Sequence, residues 1–295
     1  MPQGLLLPEY ERVFIEKPIN IASVPQRSPF RYPGGKTWLV PRFRQWMRSF
    51  STRPQMLIES FAGGAVLGLT AAFEHLADKV ILIELDEQVA AVWETIFSED
   101  VHWLVQRILS FELSIESVRQ TLERQPKSRR EKAFQTLLKN RTAHGGILAE
   151  GAGRIKNGEN GKGIHSRWYP ETIAKRIIAI QSVSSRIEFY HVDAFEMLEK
   201  YKSMKSAVFF IDPPYTAGGK RAGSRLYRHS FVDHSRLFSL VTEIKGDFLM
   251  TYDNAEEVRI MATEHGLKTR AIPMKNTHHA ELDELLIGKN LEWLS

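Results

Sequence analysis

The feature that most constrains this chain is a short apolar strand that ends in a rigid acidic turn. Residues 208–211 are apolar or aromatic, which is typical of a buried strand. Asp212, Pro213, Pro214 and Tyr215 follow directly. Proline fixes its own φ and moves the preceding residue out of the helical region. The four residues therefore form a stiff, extended hook at the carboxyl end of the strand, the edge at which open α/β sheets bind ligands.

A hook of this kind suits a planar amino group that is conjugated to a ring. Such a nitrogen is a poor nucleophile because its lone pair is delocalised. The carboxylate of Asp212 and the carbonyl of Pro213 would each accept a hydrogen bond from one N–H of this amino group. Tyr215 would stack on the ring. An ordinary Pro-Pro turn after a strand is the alternative, so the rest of the chain has to decide between the two.

An earlier segment is typical of a nucleotide-binding unit. A strand at 56–58 leads into the glycine-rich turn 59–65, and an apolar helix follows from Val66 to about Leu76. The next strand, 79–83, ends at Glu84, where a carboxylate is positioned to bind ribose hydroxyls. The turn is not followed by Lys-Ser/Thr, so it is not a P-loop. A cofactor with a ribose but without a triphosphate fits best.

The remaining periodicity predicts an α/β fold with a helical stretch in its middle. Helices are predicted at 101–109, 115–122 and 133–138, and another begins at Pro170. Further strands are predicted at 186–192, 207–211, 248–250, 268–274 and 282–288. Between 142 and 169 the chain is glycine-rich and predicts a long basic loop.

Composition excludes several classes of protein. The chain contains no cysteine, which rules out disulfides, cysteine-ligated zinc and a thiolate nucleophile, and with it cytosine-C5 methylation. A hydrophobic content of 43% and a charged content of 25% are ordinary for a globular protein. No apolar run approaches the roughly 20 residues of a membrane span, so a cytoplasmic location without membrane association is expected.

The charge of the chain is unevenly distributed. Between Arg124 and Arg176 there are 13 Lys+Arg and 4 Asp+Glu, a balance of +9, whereas the whole chain carries only +5. This pattern favours a polyanion-binding segment in a near-neutral body, with a solvated basic face as the alternative. The predicted nucleic-acid contacts are of two kinds. The candidate base contacts are Asn140, Arg141, His144 and Arg167, and the candidate phosphate contacts are Arg154, Lys156, Lys162, Lys220, Arg221, Arg225 and Arg228.

Taken together, these segments resemble the Dam-like, D12-class family of DNA adenine-N6 methyltransferases. Residues 30–36 are similar to its N-terminal cofactor motif and residues 59–64 to its glycine-rich motif. Residues 212–215 are similar to its catalytic tetrad, and residues 284–287 to its last strand. The motifs occur in the family's order, with a basic insertion before the tetrad.

The resemblance implies a class I S-adenosylmethionine-dependent methyltransferase fold, which is a seven-stranded mixed sheet with helices on both faces. It also implies an inserted, mostly helical target-recognition domain at 100–169, between catalytic segments 28–99 and 170–295, after an extension at 1–27. The implied cofactor-binding residues are Tyr32, Lys36, Phe61, Gly63, Glu84, Asp193 and Asp212. For Asp193, a helix N-cap is an equally good interpretation.

The implied activity is methyl transfer from S-adenosylmethionine to N6 of an adenine flipped out of double-stranded DNA. A cognate restriction endonuclease is a candidate partner, and no metal is required. His278 and His279 are interpreted as part of a turn between the last strands, because neighbouring strand residues point to opposite faces. Two alternatives stay open: cytosine-N4 or amide methylation, against which Asp212 argues, and an inactive nucleic-acid-binding relative.

Two departures from the family pattern concern the glycine-rich turn. Many members have Pro where Ser60 stands and Gly where Ala65 stands. The chain also lacks the Asn-Val-Pro-Phe-Gly type of run associated with members that recognise GATC. A different recognition sequence is therefore expected.

Overall fold

The computed structural model describes residues 23–31, 35–149, 153–158, 161–214, 231–275 and 281–294. Its centre is one sheet of seven strands in the order β3-β2-β1-β4-β5-β7-β6. The strands are β1 (Met56–Glu59), β2 (Lys79–Ile83), β3 (Ile187–Tyr190), β4 (Ala207–Ile211), β5 (Asp247–Asp253), β6 (Lys268–Lys275) and β7 (Glu281–Gly288). Strands β1 to β5 run parallel, whereas β7 runs antiparallel to both β5 and β6. The predicted mixed sheet is confirmed.

Helices cover both faces of this sheet, as predicted. They are α1 (Val40–Ser49), α2 (Val66–Glu74), α3 (Glu87–Ile96), α4 (Val101–Leu109), α5 (Ile115–Glu123), α6 (Arg129–Thr142), α7 (Pro170–Gln181), α8 (Ala194–Tyr201), α9 (His234–Glu243) and α10 (Glu256–Glu264). Short 3-10 turns lie at Lys36–Leu39, His144–Gly146, Gly163–Arg167, Ser184–Arg186 and Glu292–Leu294. Across the described ranges, none of the helices combines the length and apolar character that a bilayer crossing requires.

Each central strand contributes to two hydrophobic cores, because successive side chains point to opposite faces. Leu57 and Phe210 pack with residues of α1 to α7 on one face. Ile58 and Ile211 pack with residues of α8, α9 and α10 on the other. Burial on both faces explains why these strands are continuous apolar runs rather than alternating ones.

The helices of the central region belong to the first of these cores. Phe111, Phe134 and Trp168 form an aromatic cluster with centroid distances of 5.2, 5.9 and 6.5 Å, and all three share the core with α3 and α7. The described part of 142–169 therefore differs from a plain loop, since it contains two 3-10 turns and the buried Trp168. A separate recognition domain at 100–169 stays a prediction.

Candidate active site

The turn between β1 and α2 is held tightly against the sheet. Gly63 and Ala65 both have left-handed backbones, with φ of 47° and 50°. The amide of Ala62 donates to the carbonyl of Ile83 at 2.8 Å, and the indole N–H of Trp93 donates to the carbonyl of Gly63 at 2.9 Å. These bonds fix the path of the glycine-rich turn at the carboxyl edge of β1 and β2.

Glu84, at the end of β2, is tied to that turn. Its carboxylate accepts from the backbone N–H of Gly63 at 2.8 Å and from that of Asp86 at 2.8 Å. Burial raises the pKa of Glu84 to about 7, although these two hydrogen bonds oppose the shift. The Glu84 carboxyl group lies on the wall of a pocket at this edge of the sheet.

Asp212, directly after β4, lies in a polar network. One carboxylate oxygen accepts from the hydroxyl of Thr251 at 2.7 Å, and the other lies 2.8 Å from the ammonium of Lys36. Lys36 is buried, at 5% exposure. The contact with Thr251 follows from the pairing of Ile211 with Met250, which places the next residues of the two parallel strands side by side. The predicted catalytic carboxylate is thus held from two sides.

A third carboxyl group lies beneath the glycine-rich turn. Glu59, the last residue of β1, is buried and accepts from the backbone N–H of Gly68 at 2.7 Å. A Cβ atom at Gly68 would lie 2.5 Å from the Glu59 carboxylate, so α2 can approach the strand this closely only with glycine there. Burial raises the pKa of Glu59 to about 8.

Asp193 caps a helix at the wall of the pocket, and its predicted contact with the cofactor stays a prediction. Its carboxylate accepts from the backbone N–H of Phe195 at 2.8 Å, which caps α8. Asp193 and Phe195 also line the same pocket as Glu84 and Asp212. The guanidinium of Arg236 lies 4.6 Å from the ring centroid of Phe195.

The pocket brings together all six of the predicted cofactor residues that the structure describes. Lys36, Phe61, Gly63, Glu84, Asp193 and Asp212 all line it, together with Pro214 of the predicted hook. Pro213 is buried next to it. Several residues singled out from the sequence lie outside the described ranges. They are Tyr32, Tyr215, Lys220, Arg221, Arg225, Arg228, His278 and His279.

Two predicted base contacts are not brought to the surface. Asn140 is fully buried; its side chain accepts from the amide of Arg31 at 2.9 Å and donates to the carbonyls of Arg31 and Gly146 at 2.8 and 2.7 Å. Arg141 is buried too, and its guanidinium donates to the carbonyl of Pro29. In this structure, both side chains join α6 to the segment before Lys36.

The other predicted DNA contacts that the structure describes are accessible. His144, Arg154, Lys156 and Lys162 are exposed, and Arg167 is partly exposed. An isolated bridge pairs Ala143 with Arg154 and carries this basic segment next to the end of α6. Their placement agrees with a phosphate-binding surface, and their roles stay predictions.

Four site residues were not anticipated from the sequence. Thr251 and Glu284 lie beside Asp212 and Lys36, and Phe195 and Phe231 line the pocket. Phe231 is 90% exposed, which is unusual for a large apolar side chain. Of these four, only Phe195 could have been predicted to lie at the site from the sequence, because it follows Asp193 where a strand leads into a helix.

The topology and the pocket are typical of α/β proteins that bind a nucleotide-like cofactor at the carboxyl edge of a mostly parallel sheet. A model of the D12 class N6 adenine-specific DNA methyltransferase family matches residues 32–275, well over half of the chain. The chain belongs to this family, whose activity is adenine-specific DNA methylation with S-adenosylmethionine as methyl donor.

Other comparisons show distant likenesses. A search of curated protein sequences finds no match. The rRNA methyltransferase aviRa from Streptomyces viridochromogenes is 12% identical, with a TM-score of 0.40, over 92% of this chain and 94% of that one. A SAM-dependent methyltransferase from Agrobacterium tumefaciens is 9% identical, with a TM-score of 0.39, over 86% of this chain and 61% of that one. At such values, substrate assignments rest on the family alone.

The residues present fit S-adenosylmethionine. The pocket offers the Glu84 carboxylate at the end of β2 and an apolar wall that includes Leu85 and Phe195. The hydroxyl of Ser60, which also lines the pocket, is buried and has no hydrogen-bond partner within the described part of the chain. A buried unpaired hydroxyl is costly, and a polar ligand in this pocket would satisfy it.

Proposed function

We propose that this protein transfers a methyl group from S-adenosylmethionine to N6 of an adenine flipped out of double-stranded DNA, within a specific sequence. The observation that carries the proposal is the arrangement of Asp212, whose carboxylate is oriented by Lys36 and Thr251 at the edge of the cofactor pocket. Family membership supports adenine in DNA as the substrate.

The cofactor supplies an electrophilic methyl group on a sulfonium. The carboxylate of Asp212 accepts a hydrogen bond from one N–H of the adenine amino group. The carbonyl of Pro213 accepts a hydrogen bond from the other N–H. With both N–H bonds held, the nitrogen lone pair is directed at the methyl group and is less delocalised into the ring. With the cofactor bound, the N–C bond would form as the S–C bond breaks, S-adenosylhomocysteine would leave, and the Asp212 carboxylate would be placed to accept the proton that the nitrogen releases. Positioning contributes most of the rate, and no covalent enzyme intermediate is needed.

Two features support DNA as the polymer. Arg154, Lys156 and Lys162 are exposed in the segment that carries the basic excess, which suits contacts to phosphates. The pocket opens beside the exposed ring of Phe231, an apolar surface on which an extruded base can stack.

Replacing Asp212 tests this proposal. Asp212→Ala should lower kcat for methyl transfer from labelled cofactor to DNA by at least about 10²-fold, by analogy with the loss of one preorganised polar partner. DNA binding should be retained. Asp78→Asn is a matched control, since Asp78 pairs with Arg53 on the surface and lies outside the pocket. Wild-type turnover in Asp212→Ala would contradict the mechanism.

A further inference from the structure

A buried carboxyl group next to the site has no part in the function proposed above. Glu284, on β7, is 5% exposed, and its Oε2 atom has no hydrogen-bond partner among the residues that the structure describes. The same atom lies 3.8 Å from Nζ of Lys36, whose ammonium is 2.8 Å from Asp212. A single buried ammonium therefore stands between two carboxyl groups, closer to one than to the other.

Strand pairing explains why these groups meet. Thr251 pairs with Leu286, and Asp253, two residues further along β5, pairs with Glu284 on the antiparallel β7. Alternate residues share a face of the sheet, so Glu284 lies on the face that carries Thr251. Lys36 reaches the same face from the 3-10 turn before α1.

We propose that Glu284 is a positioning residue that acts as the second counter-ion of Lys36, and that by sharing this ammonium it leaves Asp212 free to accept the target amino group. This inference rests on the proposed function. In the structure, one oxygen of Asp212 already accepts from Thr251 and the other faces Lys36. A carboxylate so engaged has less capacity for a further donor.

The geometry allows Lys36 to change partners with little movement. Hydrogen bonds between an ammonium and a carboxylate are about 2.8 Å long. Nζ lies 3.8 Å from Glu284, so a shift of about 1 Å brings it into contact. Lysine is suited to this, because its ammonium carries three donors on a flexible stem.

The protonation state of Glu284 determines whether Lys36 pairs with Glu284 or with Asp212. Burial raises the pKa of Glu284 to about 7, and Asp212 and Asp253 add to the shift while Lys36 opposes it. Asp212 faces Glu284 from the loop after β4, Asp253 from β5 and Lys36 from the 3-10 turn before α1. On β6, Glu284 pairs with the uncharged Ile272. Above pH 7 Glu284 is ionised and attracts Lys36, so turnover should rise between pH 6 and pH 8.

The test compares Glu284→Gln with the wild type in DNA methylation across that pH range. Glutamine keeps the shape of the side chain and removes its charge. At pH 8, kcat should fall by about tenfold, with cofactor affinity changed by less than about twofold, as for an interaction that matters only in the reacting complex. The rise in kcat between pH 6 and pH 8 should disappear.

Two further variants separate positioning from folding. Glu284→Asp keeps an ionisable group and should retain a pH-dependent rise. Asp253→Asn removes a neighbouring carboxylate that raises the pKa of Glu284, so it should keep the rise in kcat but move it to lower pH. If Glu284→Gln has the wild-type kcat, or is slower by the same factor at every pH, the positioning role is refuted. A wild-type enzyme that does not methylate adenine in DNA would instead refute the proposed function.

Discussion

Glu84 and Asp212 are both carboxyl groups at strand ends, but their surroundings differ. Asp212 contacts the side chains of a lysine and a threonine. Among the described residues, by contrast, the hydrogen bonds to the Glu84 carboxylate come only from backbone N–H groups. This difference suits separate tasks, orientation of the reacting nitrogen for Asp212 and retention of the cofactor ribose for Glu84. The two tasks predict different kinetic effects.

Glu84→Gln should raise the cofactor KM by about tenfold with little change in kcat, because a contact to ribose hydroxyls contributes ground-state binding. Since the pKa of Glu84 is about 7, wild-type cofactor affinity should also increase from pH 6 to pH 8, whereas that of Glu84→Gln should not. Calorimetry at both pH values measures this. Glu188→Gln, at an exposed position on β3, is the control. Unchanged affinity in Glu84→Gln would exclude the ribose contact.

Ala65 carries a backbone conformation that favours glycine. Its φ of 50° and ψ of 38° are left-handed, which costs a residue with a Cβ atom roughly 1–2 kcal/mol. Ala65→Gly should therefore raise the free energy of unfolding by up to about 1 kcal/mol, after the extra entropy of an unfolded glycine is deducted. Ala71→Gly, inside α2, should lower it by about 1 kcal/mol. Urea denaturation that finds both variants equally destabilised would contradict the strain at Ala65.

At this scale, the sequence predicted residues that follow apolar strands and missed those that depend on strand pairing. Glu84 and Asp212 end recognisable strands, so their edge of the sheet could be predicted. Thr251 and Glu284 could not, because the insertion of β7 between β5 and β6 has no local signal. The buried contacts of Asn140 were missed for a similar reason, since nothing near it in the sequence indicates a partner at Arg31, 109 positions away.

At the scale of elements, α6 supports the segment that delivers Lys36. Asn140 bonds both the N–H and the carbonyl of Arg31, and the left-handed Gly146 approaches the same residue so closely that a Cβ atom would lie 2.2 Å from the Arg31 carbonyl oxygen. Asn140→Ala leaves buried backbone groups without partners, at a cost of about 1–3 kcal/mol each. The contacts thus predict a structural role for Asn140, whereas the sequence predicted a base contact.

Thermal denaturation combined with methylation mapping distinguishes these two roles. A structural Asn140 predicts a clearly lower Tm for Asn140→Ala, with an unchanged methylated sequence. Gln125→Ala, at an exposed position before α6, should leave both unchanged. An unchanged Tm with an altered recognition sequence would restore Asn140 as a base contact.

For the whole molecule, the alternation of strands and helices was sufficient to predict the sheet, since continuous apolar runs such as β2 and β4 occur where both faces are covered. The predicted bounds of both strands agree with the structure. Deviations occur at ends controlled by caps: α6 was predicted at 133–138 but begins at Arg129, after Ser128 accepts from the amide of Glu131. Helices α3, α4, α6 and α7 share one hydrophobic core. This could not be predicted from composition, because the excess of basic residues in the region indicated only a charged surface.

The buried carboxyl groups predict how stability depends on pH. The pKa of Glu59 rises from 4.5 to about 8 on folding, so the folded state keeps a proton that the unfolded chain releases. The free energy of unfolding should therefore fall as pH rises from about 5 to about 8. In Glu59→Gln, which still offers an oxygen to Gly68, this fall should be smaller by on the order of a few kcal/mol. Urea titrations that show the same pH dependence in both proteins would contradict a protonated Glu59.

The central claim is that this site methylates the amino group of adenine in DNA. The most direct test incubates the protein with S-adenosylmethionine and separate duplex DNA, single-stranded DNA and RNA substrates, digests each to nucleosides and identifies the products by mass. The account predicts N6-methyladenine from duplex DNA, and its loss with Asp212→Ala. N4-methylcytosine, methylation confined to RNA, or N6-methyladenine that persists in Asp212→Ala would contradict it.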